Sequence, residues 1–259
     1  MASNVRNIGN PSVRDGVGAE EWDTRVNLAA AYRLVALYGW THLVQNHISA
    51  RVPGKDEHFL INPYGMLFRE ITASCLVKID LDGRIVDETP YKVNEAGFVI
   101  HSAVHAARPD LTCVLHTHTE AGMAISALED GLIPINQGAF RFYNRVAYHD
   151  YEGVSLDTDE RARIAADLGD RHRVMILRNH GLLTAGRTIA EAFVLMYHLE
   201  KTCRAQLLAM ATGAKLRIPP PEVCEHAASQ FERGNRITGT LDWPALIREA
   251  DDADPSYRD

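Results

Sequence analysis

The chain has no excess of positive charge: 27 Lys and Arg stand against 34 Asp and Glu, for a formal net charge of -7. Binding nucleic acid through its phosphates needs a basic footprint, so that class of partner is not expected. Long apolar runs are also missing. No stretch approaches the roughly 18 residues needed to span a bilayer. Met1 to Gly16 is polar, without the apolar segment of a signal peptide, and no membrane partner is expected. Cysteine is scarce: Cys75, Cys113, Cys203 and Cys224 are widely spaced and form no CxxC pair. A reducing cytoplasm is the expected home. There is no GxSxG elbow for a serine nucleophile, no GxGxxG and no P-loop lysine motif. Dinucleotide and nucleoside triphosphate chemistry are therefore disfavoured.

What remains is an ordinary globular composition, 46% apolar and 24% charged over 259 residues, enough for one well-filled domain. A flexible tail is expected over 1–20, one mixed α/β domain over 21–212 and a C-terminal arm over 213–259. Trp22 to Tyr38 repeats apolar residues at helical spacing, with Gly39 as a stop. Short strands are predicted at Ile48–Val52, Phe59–Ile61 and Leu76–Ile79, the last turning back at Asp82-Gly83 into Arg84–Val86. Gly97 to Ala107 is an amphipathic helix by pattern, and Cys113 to Thr119 a strand leading into a helix over Glu120–Leu128. A second such unit follows. It comprises a helix from Asp159 to Leu168, a strand at Val174–Leu177, a turn at Asn179–Gly181, a strand at Leu182–Thr184 and a long helix from Ile189 to Met210.

The strongest chemical signal is His116-Thr117-His118. Residues two apart on a strand share a face, so both imidazoles can reach one ion. Two hydrogen-bonded histidines are the alternative. His180, between Asn179 and Gly181 where an apolar strand stops abruptly, is a third candidate donor. Three His with no carboxylate leave a coordination position open, as catalytic zinc sites do, and imidazole also suits manganese, iron or cobalt. His101 and His105 lie four apart on one helix face but lack the acid of HExxH, so packed or surface roles are expected. His149, in Tyr148-His149-Asp150-Tyr151, sits in a polar aromatic turn and is a candidate for a cleft; His42, His47, His58, His172, His198 and His226 form no constellation in the sequence.

Read together, Gly97-Phe98-Val99-Ile100-His101-Ser102-Ala103-Val104-His105, Ala107-Arg108-Pro109-Asp110, His116-Thr117-His118, Ala147-Tyr148-His149-Asp150-Tyr151, Leu177-Arg178-Asn179-His180-Gly181 and Glu191-Ala192-Phe193 resemble the class II aldolase/adducin family. The likeness runs from about Asp23 to Ala211. It implies a three-layer α/β/α sandwich around a mostly antiparallel central sheet, with one divalent metal per chain, zinc foremost, on His116, His118 and His180. Members that are aldolases act on sugar phosphates. Their metal polarises a ketose carbonyl and a glutamate moves protons. They are commonly tetramers with sites between subunits, completed by arms near the C-terminus, and Tyr257 is the arm residue that could reach such a site, a disordered tail being the alternative.

The sequence departs from the aldolase pattern at the positions that handle phosphate and protons. Gly97 stands at the glutamate position, Ala96 and Glu95 at serine positions. Ile61-Asn62-Pro63-Tyr64-Gly65 resembles the phosphate loop, but Tyr64 replaces a small hydroxyl residue and would crowd a phosphate; Asn46 and Gly65 still match. The Asn94–Ala107 and Tyr148–Tyr151 stretches look closer to the adducin branch, whose animal members are cytoskeletal. The expectation is a metal-dependent lyase, by retro-aldol cleavage or decarboxylation, for a small non-phosphorylated carbonyl or carboxylate compound. Glu95 is its candidate proton-transfer group, although a carboxylate at a helix start has a capping role open to it as well. Asn46, Gly65, Gln137 and Tyr148 are candidate substrate contacts, and a homo-oligomer, most simply a tetramer, is the expected state. The alternatives are an adducin-like binding module with a vestigial metal site and an iron-dependent oxygenase.

Overall fold

Runs of three to six apolar residues, bounded by Gly, Pro and Asn, are too short to bury a helix and long enough to pair as strands. In the computed structural model, which describes residues 11–54, 57–154, 159–233 and 237–259, they form one sheet. Its strands are β1 (His47–Arg51), β2 (Phe59–Ile61), β3 (Val77–Ile79), β4 (Cys113–Thr117), β5 (Val146–His149), β6 (Val174–Leu177) and β7 (Gly181–Gly186). Their order is β3-β2-β1-β4-β7-β6-β5. The β5–β6 pair is parallel and the other neighbours are antiparallel.

Helices cover both faces. In chain order they are α1 (Pro11–Gly16), α2 (Ala19–Leu37), α3 (Glu95–Ala107), α4 (Glu120–Ser126), α5 (Gln137–Phe140), α6 (Glu160–Leu168), α7 (Ile189–Ala211), α8 (Pro221–Phe231) and α9 (Trp243–Ala253). Alternation along the strands divides the core in two. Ile48, Ala50, Cys113, Leu115, Ile176 and Leu182 pack with α2 and α7 on one face. Val114, Ala147, Met175, Leu177 and Leu183 pack with α3 and α6 on the other. Each fully buried Leu or Ile contributes about 1.5–3 kcal/mol. The result is the expected three-layer α/β/α sandwich with a mostly antiparallel sheet.

The structure differs from the sequence reading in local ways. The turn at Asp82-Gly83 forms, with Gly83 N donating to Asp80 O over 3.1 Å, but the returning strand shrinks to one bridge between Ile79 and Ile85. Tyr148 and His149 lie on a strand rather than in a turn, because β5 pairs with β6 as the edge of the sheet. Part of the expected tail lies outside the described residues; within them Pro11–Gly16 and the start of α2 are helical. The C-terminal arm folds back on its own chain. Trp243 Nε1 donates to Asn27 Oδ1 over 2.7 Å, and Arg33 pairs with Asp254 at 3.0 Å. Tyr257 is fully buried, its hydroxyl donating to Asp251 Oδ1 over 2.8 Å, so this side chain is committed to its own subunit.

Candidate metal centre

β4 ends in the middle of the sheet, and its last residues alternate between two environments. Thr117 and Thr119 face α7, where their hydroxyls each donate to an oxygen of Glu200 over 2.7 Å. Burial pushes the Glu200 carboxyl above its usual range, against those two hydrogen bonds. With the threonines held on that side, His116 and His118 project to the α3 side. His180 arrives from the tight connection between β6 and β7. Asn179 takes a left-handed φ of 54°, and its N–H donates to Ser126 O over 3.1 Å. Gly181 is required by close approach: a Cβ there would lie 2.3 Å from Thr117 O.

These two segments bring three ring nitrogens together. His116 Nε2 lies 2.6 Å from His118 Nε2 and 3.3 Å from His180 Nε2, and the last pair is 2.9 Å apart. Three nitrogens about 2.05 Å from a tetrahedral zinc would sit roughly 3.3 Å apart, so the triangle fits one ion with a slight opening. The tautomers fit too. His116 Nδ1 faces Leu182 O at 2.8 Å, and a carbonyl only accepts, so the ring hydrogen is on Nδ1 and a lone pair on Nε2. One ring hydrogen on either partner satisfies a single edge of the triangle, whereas a cation satisfies all three lone pairs. Burial, then the charges of His118 and His180, holds the His116 imidazole well below its usual basicity. Burial and His180 take His118 to about 3, and burial lowers His180. Neutral rings are the form that ligates.

Two histidines that carry no signal in the sequence join this centre. His42 sits with Nδ1 3.3 Å from Nδ1 of His118, on the edge away from the triangle. His47 opens β1 opposite His116. Behind them lies a packed layer: Ser49 Oγ stands 2.6 Å from His101 Nδ1 and 2.8 Å from His105 Nε2, all three buried. Burial drives His47 to about 4, His105 to about 3 and His101 well below its usual value. The packed role expected of His101 and His105 is what the helix gives them.

The other candidates are placed unevenly. Asn46 is fully buried beside the centre; its Oδ1 accepts from His42 N, and its Nδ2 has no partner among the described residues. Gly65 lies exposed in the loop after β2, at a φ of 93° and next to a half-exposed Tyr64. Glu95 is the first residue of α3, and its side chain lies outside the described residues. Gln137 opens α5, exposed, with no described contact to the triangle. Tyr148 points to the α7 face, away from the histidines: its hydroxyl accepts from Leu132 N over 3.1 Å and Arg178 caps its ring at 4.3 Å. Tyr151 is the aromatic that stands by the centre, its ring 6.4 Å from that of His180. His149 is not in the cleft. Buried on the α6 side, it spans Asp167 at 2.7 Å and Glu160 at 3.4 Å. Two further motifs are structural: Arg108 clasps Asp110 and donates to the carbonyls of Gly169 and His172, and buried Glu191 joins Arg173 to Arg187.

The model of the Class II Aldolase and Adducin N-terminal domain matches residues 26–207. The chain belongs to this family. A Caulobacter vibrioides protein, named provisionally as an aldolase class 2 protein, is 48% identical over 249 residues, 96% of each chain. Alpha-adducin of Rattus norvegicus is 48% identical over 191 residues, which are 73% of this chain but 26% of the adducin. Among solved structures, an aldolase II superfamily protein from Pseudomonas syringae superposes with a TM-score of 0.92 at 55% identity, over 96% of this chain and all of the other. L-fuculose 1-phosphate aldolase from Glaciozyma antarctica gives 0.83 at 30% identity, covering 98% of each. Class II aldolases use a divalent metal, and in this family member the matched region contains all three histidines of the triangle.

Proposed function

We propose that the chain is a metal-dependent lyase in which His116, His118 and His180 hold one divalent cation, with zinc favoured. Its substrate is a small non-phosphorylated carbonyl or carboxylate compound, cleaved by retro-aldol reaction or decarboxylation. The observation that carries this reading is the convergence of three Nε2 atoms within 3.3 Å, one with its tautomer fixed by Leu182 O. A cation there supplies Lewis acidity, drawing electron density from substrate oxygens. The chain supplies the rest. Asn46 Nδ2, a buried donor lacking a partner among the described residues, is positioned to hold a substrate oxygen. Tyr64, beside Gly65, stands half-exposed in the loop where aldolases hold phosphate, in place of a small hydroxyl residue. Glu95 stands at the α3 start as one candidate for proton transfer. Gln137 and Tyr148 are further candidate substrate contacts, and neither touches the triangle within the single chain. A cytoplasmic homo-oligomer, most simply a tetramer, is the form proposed.

Elemental analysis tests the reading directly. About one divalent metal per chain is expected in the wild type, as the triangle offers one site, and none in His116→Ala; protein with no metal in either form would end it. A second reading is favoured by the 48% identity to alpha-adducin and by the absence of a carboxylate at Gly97: a binding module that retains the metal site without turnover. Metal-loaded protein that turns over no member of a panel of hydroxy-acids, keto-acids and aldehydes would favour that module.

A further inference from the structure

His47 and Gly97 form a matched pair that the local sequence does not reveal. His47 Cα stands opposite His116 Cα in the antiparallel β1–β4 ladder. Residues so paired project to the same face with Cβ atoms about 5 Å apart. The His47 ring therefore lies on the triangle's side of the sheet, buried to 3% exposure. Its seat is the backbone of α3. A Cβ at Gly97 would lie 2.2 Å from His47 Cδ2 and 2.4 Å from Nε2. Gly97 has an ordinary helical φ, so its lack of a side chain serves close approach and not backbone freedom. A helix accepts glycine at a cost of about 1 kcal/mol, and here the vacated space holds an imidazole.

The neighbouring rings stand differently. His101 and His105 share Ser49 Oγ and leave His101 Nε2 and His105 Nδ1 buried without a partner among the described residues, His116 belongs to the triangle and His42 backs His118. His47 Nε2 faces Asn94 Nδ2 at 3.3 Å. An amide nitrogen donates, so Nε2 carries the lone pair and Nδ1 the hydrogen. That lone pair accepts from the amide at rest; beside the triangle, on a ring that is not one of its three members, it can take a substrate proton when the long 3.3 Å bond to Asn94 gives way.

We propose that His47 moves protons to and from a substrate held at the histidine triangle, in the room that Gly97 leaves. The inference rests on the lyase reading above. In a retro-aldol cleavage, Nε2 takes the proton of the β-hydroxyl while the carbon–carbon bond breaks. The bonding pair passes to the carbonyl side as an enolate, and the hydroxyl-bearing carbon leaves as a carbonyl compound. The Nε2–H then returns the proton to the enolate carbon, so atoms and charge balance without another reactant.

The test uses the full zinc-loaded chain in D2O with dihydroxyacetone, a non-phosphorylated α-hydroxyketone whose C–H exchange needs proton transfer at an activated carbonyl. His47→Gln should keep its zinc and slow exchange about 100-fold or more. Gly97→Ala, which crowds the ring, should slow it too. His47→Gln within about threefold of wild type at full zinc content would overturn the proposal. If the zinc-loaded wild type leaves this ketone untouched, nitrogen-15 spectra of the imidazoles decide: acetohydroxamate, a small chelating probe, should shift His47 Nε2. A His47 signal that stays still while those of the triangle move would overturn it. Failure to load zinc is read separately, by metal content, and removes the lyase reading and this role together.

Discussion

At the scale of single residues, the centre depends on contacts that tolerate little change. A methyl group at Gly181 would meet the carbonyl of Thr117 at 2.3 Å, so Gly181→Ala must push apart the two segments that carry the histidines. We expect a loss of about 1–3 kcal/mol in urea unfolding, together with reduced metal per chain by elemental analysis. Unchanged metal content would show that the triangle does not rely on this approach. Glu200 acts from the opposite face. An amide in its place offers one acceptor to two threonine hydroxyls, leaving one donor of Thr117 or Thr119 unmet at about 1–3 kcal/mol. Glu200→Gln should also weaken metal binding by about tenfold or more, as changes behind metal ligands do, measured by chelator competition. The pair His116 and His118 was legible in the sequence because strand alternation is local. His42 and His47 were not, because what brings them in is the register of β1 against β4, which no short window contains. The orientation of Tyr148 was hidden for the related reason that the face a strand presents depends on its partner: β5 pairs in parallel with β6 and turns Tyr148 toward α7.

At the scale of elements, patterning set most boundaries. β2 and β6 follow the predicted spans, and α2 and α7 differ by a few residues at their ends. Periodicity says less about what an element packs against. The segment after Pro219 is an arm by sequence, and the structure makes it α8, packed by α5, with α9 and a final turn laid against α2 of the same chain. Its anchor is Tyr257, fully buried among core residues. Tyr257→Ala opens a cavity and should cost about 3–5 kcal/mol in chemical denaturation. Tyr257→Phe loses only the bond to Asp251, at about 1 kcal/mol. Metal content should be equal in both variants, since the contacts of this side chain lie on the α2 side and the triangle on the α3 side. Loss of metal in Tyr257→Phe would instead tie the anchor to the centre.

At the scale of the whole molecule, one sheet gathers donors 64 positions apart and buries a second layer of imidazoles behind them, and that burial has a consequence in acid. His47 and His105 have folded-state values of about 4 and about 3, and His101 is also lowered, all first by loss of hydration. A histidine whose value is depressed on folding binds its proton more readily in the unfolded chain. The stability it contributes is therefore present above the unfolded value near 6.5 and is lost as pH falls from there toward the folded value. Glu200 carries the opposite sign: its carboxyl is raised by burial, so its contribution is held at low pH and lost as pH rises through the folded value. Seven depressed imidazoles, those of His47, His101, His105 and His198 with the three of the metal-free triangle, against one raised carboxyl make the histidines dominant below neutrality. Metal-free protein should lose on the order of a few kcal/mol in urea unfolding between pH 6.5 and about 4. His105→Gln, which removes one of these protons without touching the triangle, should flatten that slope. Its equality with wild type across the window would mean that the layer opens before it titrates. Adding metal acts on the same balance from the native side: a cation at a thousand times its dissociation constant stabilises the folded state by about 4 kcal/mol. That gain should shrink as acid protonates the ligands in competition with the ion. Unfolding curves measured with zinc and with chelator should accordingly converge as pH falls, while those of His116→Ala coincide at every pH.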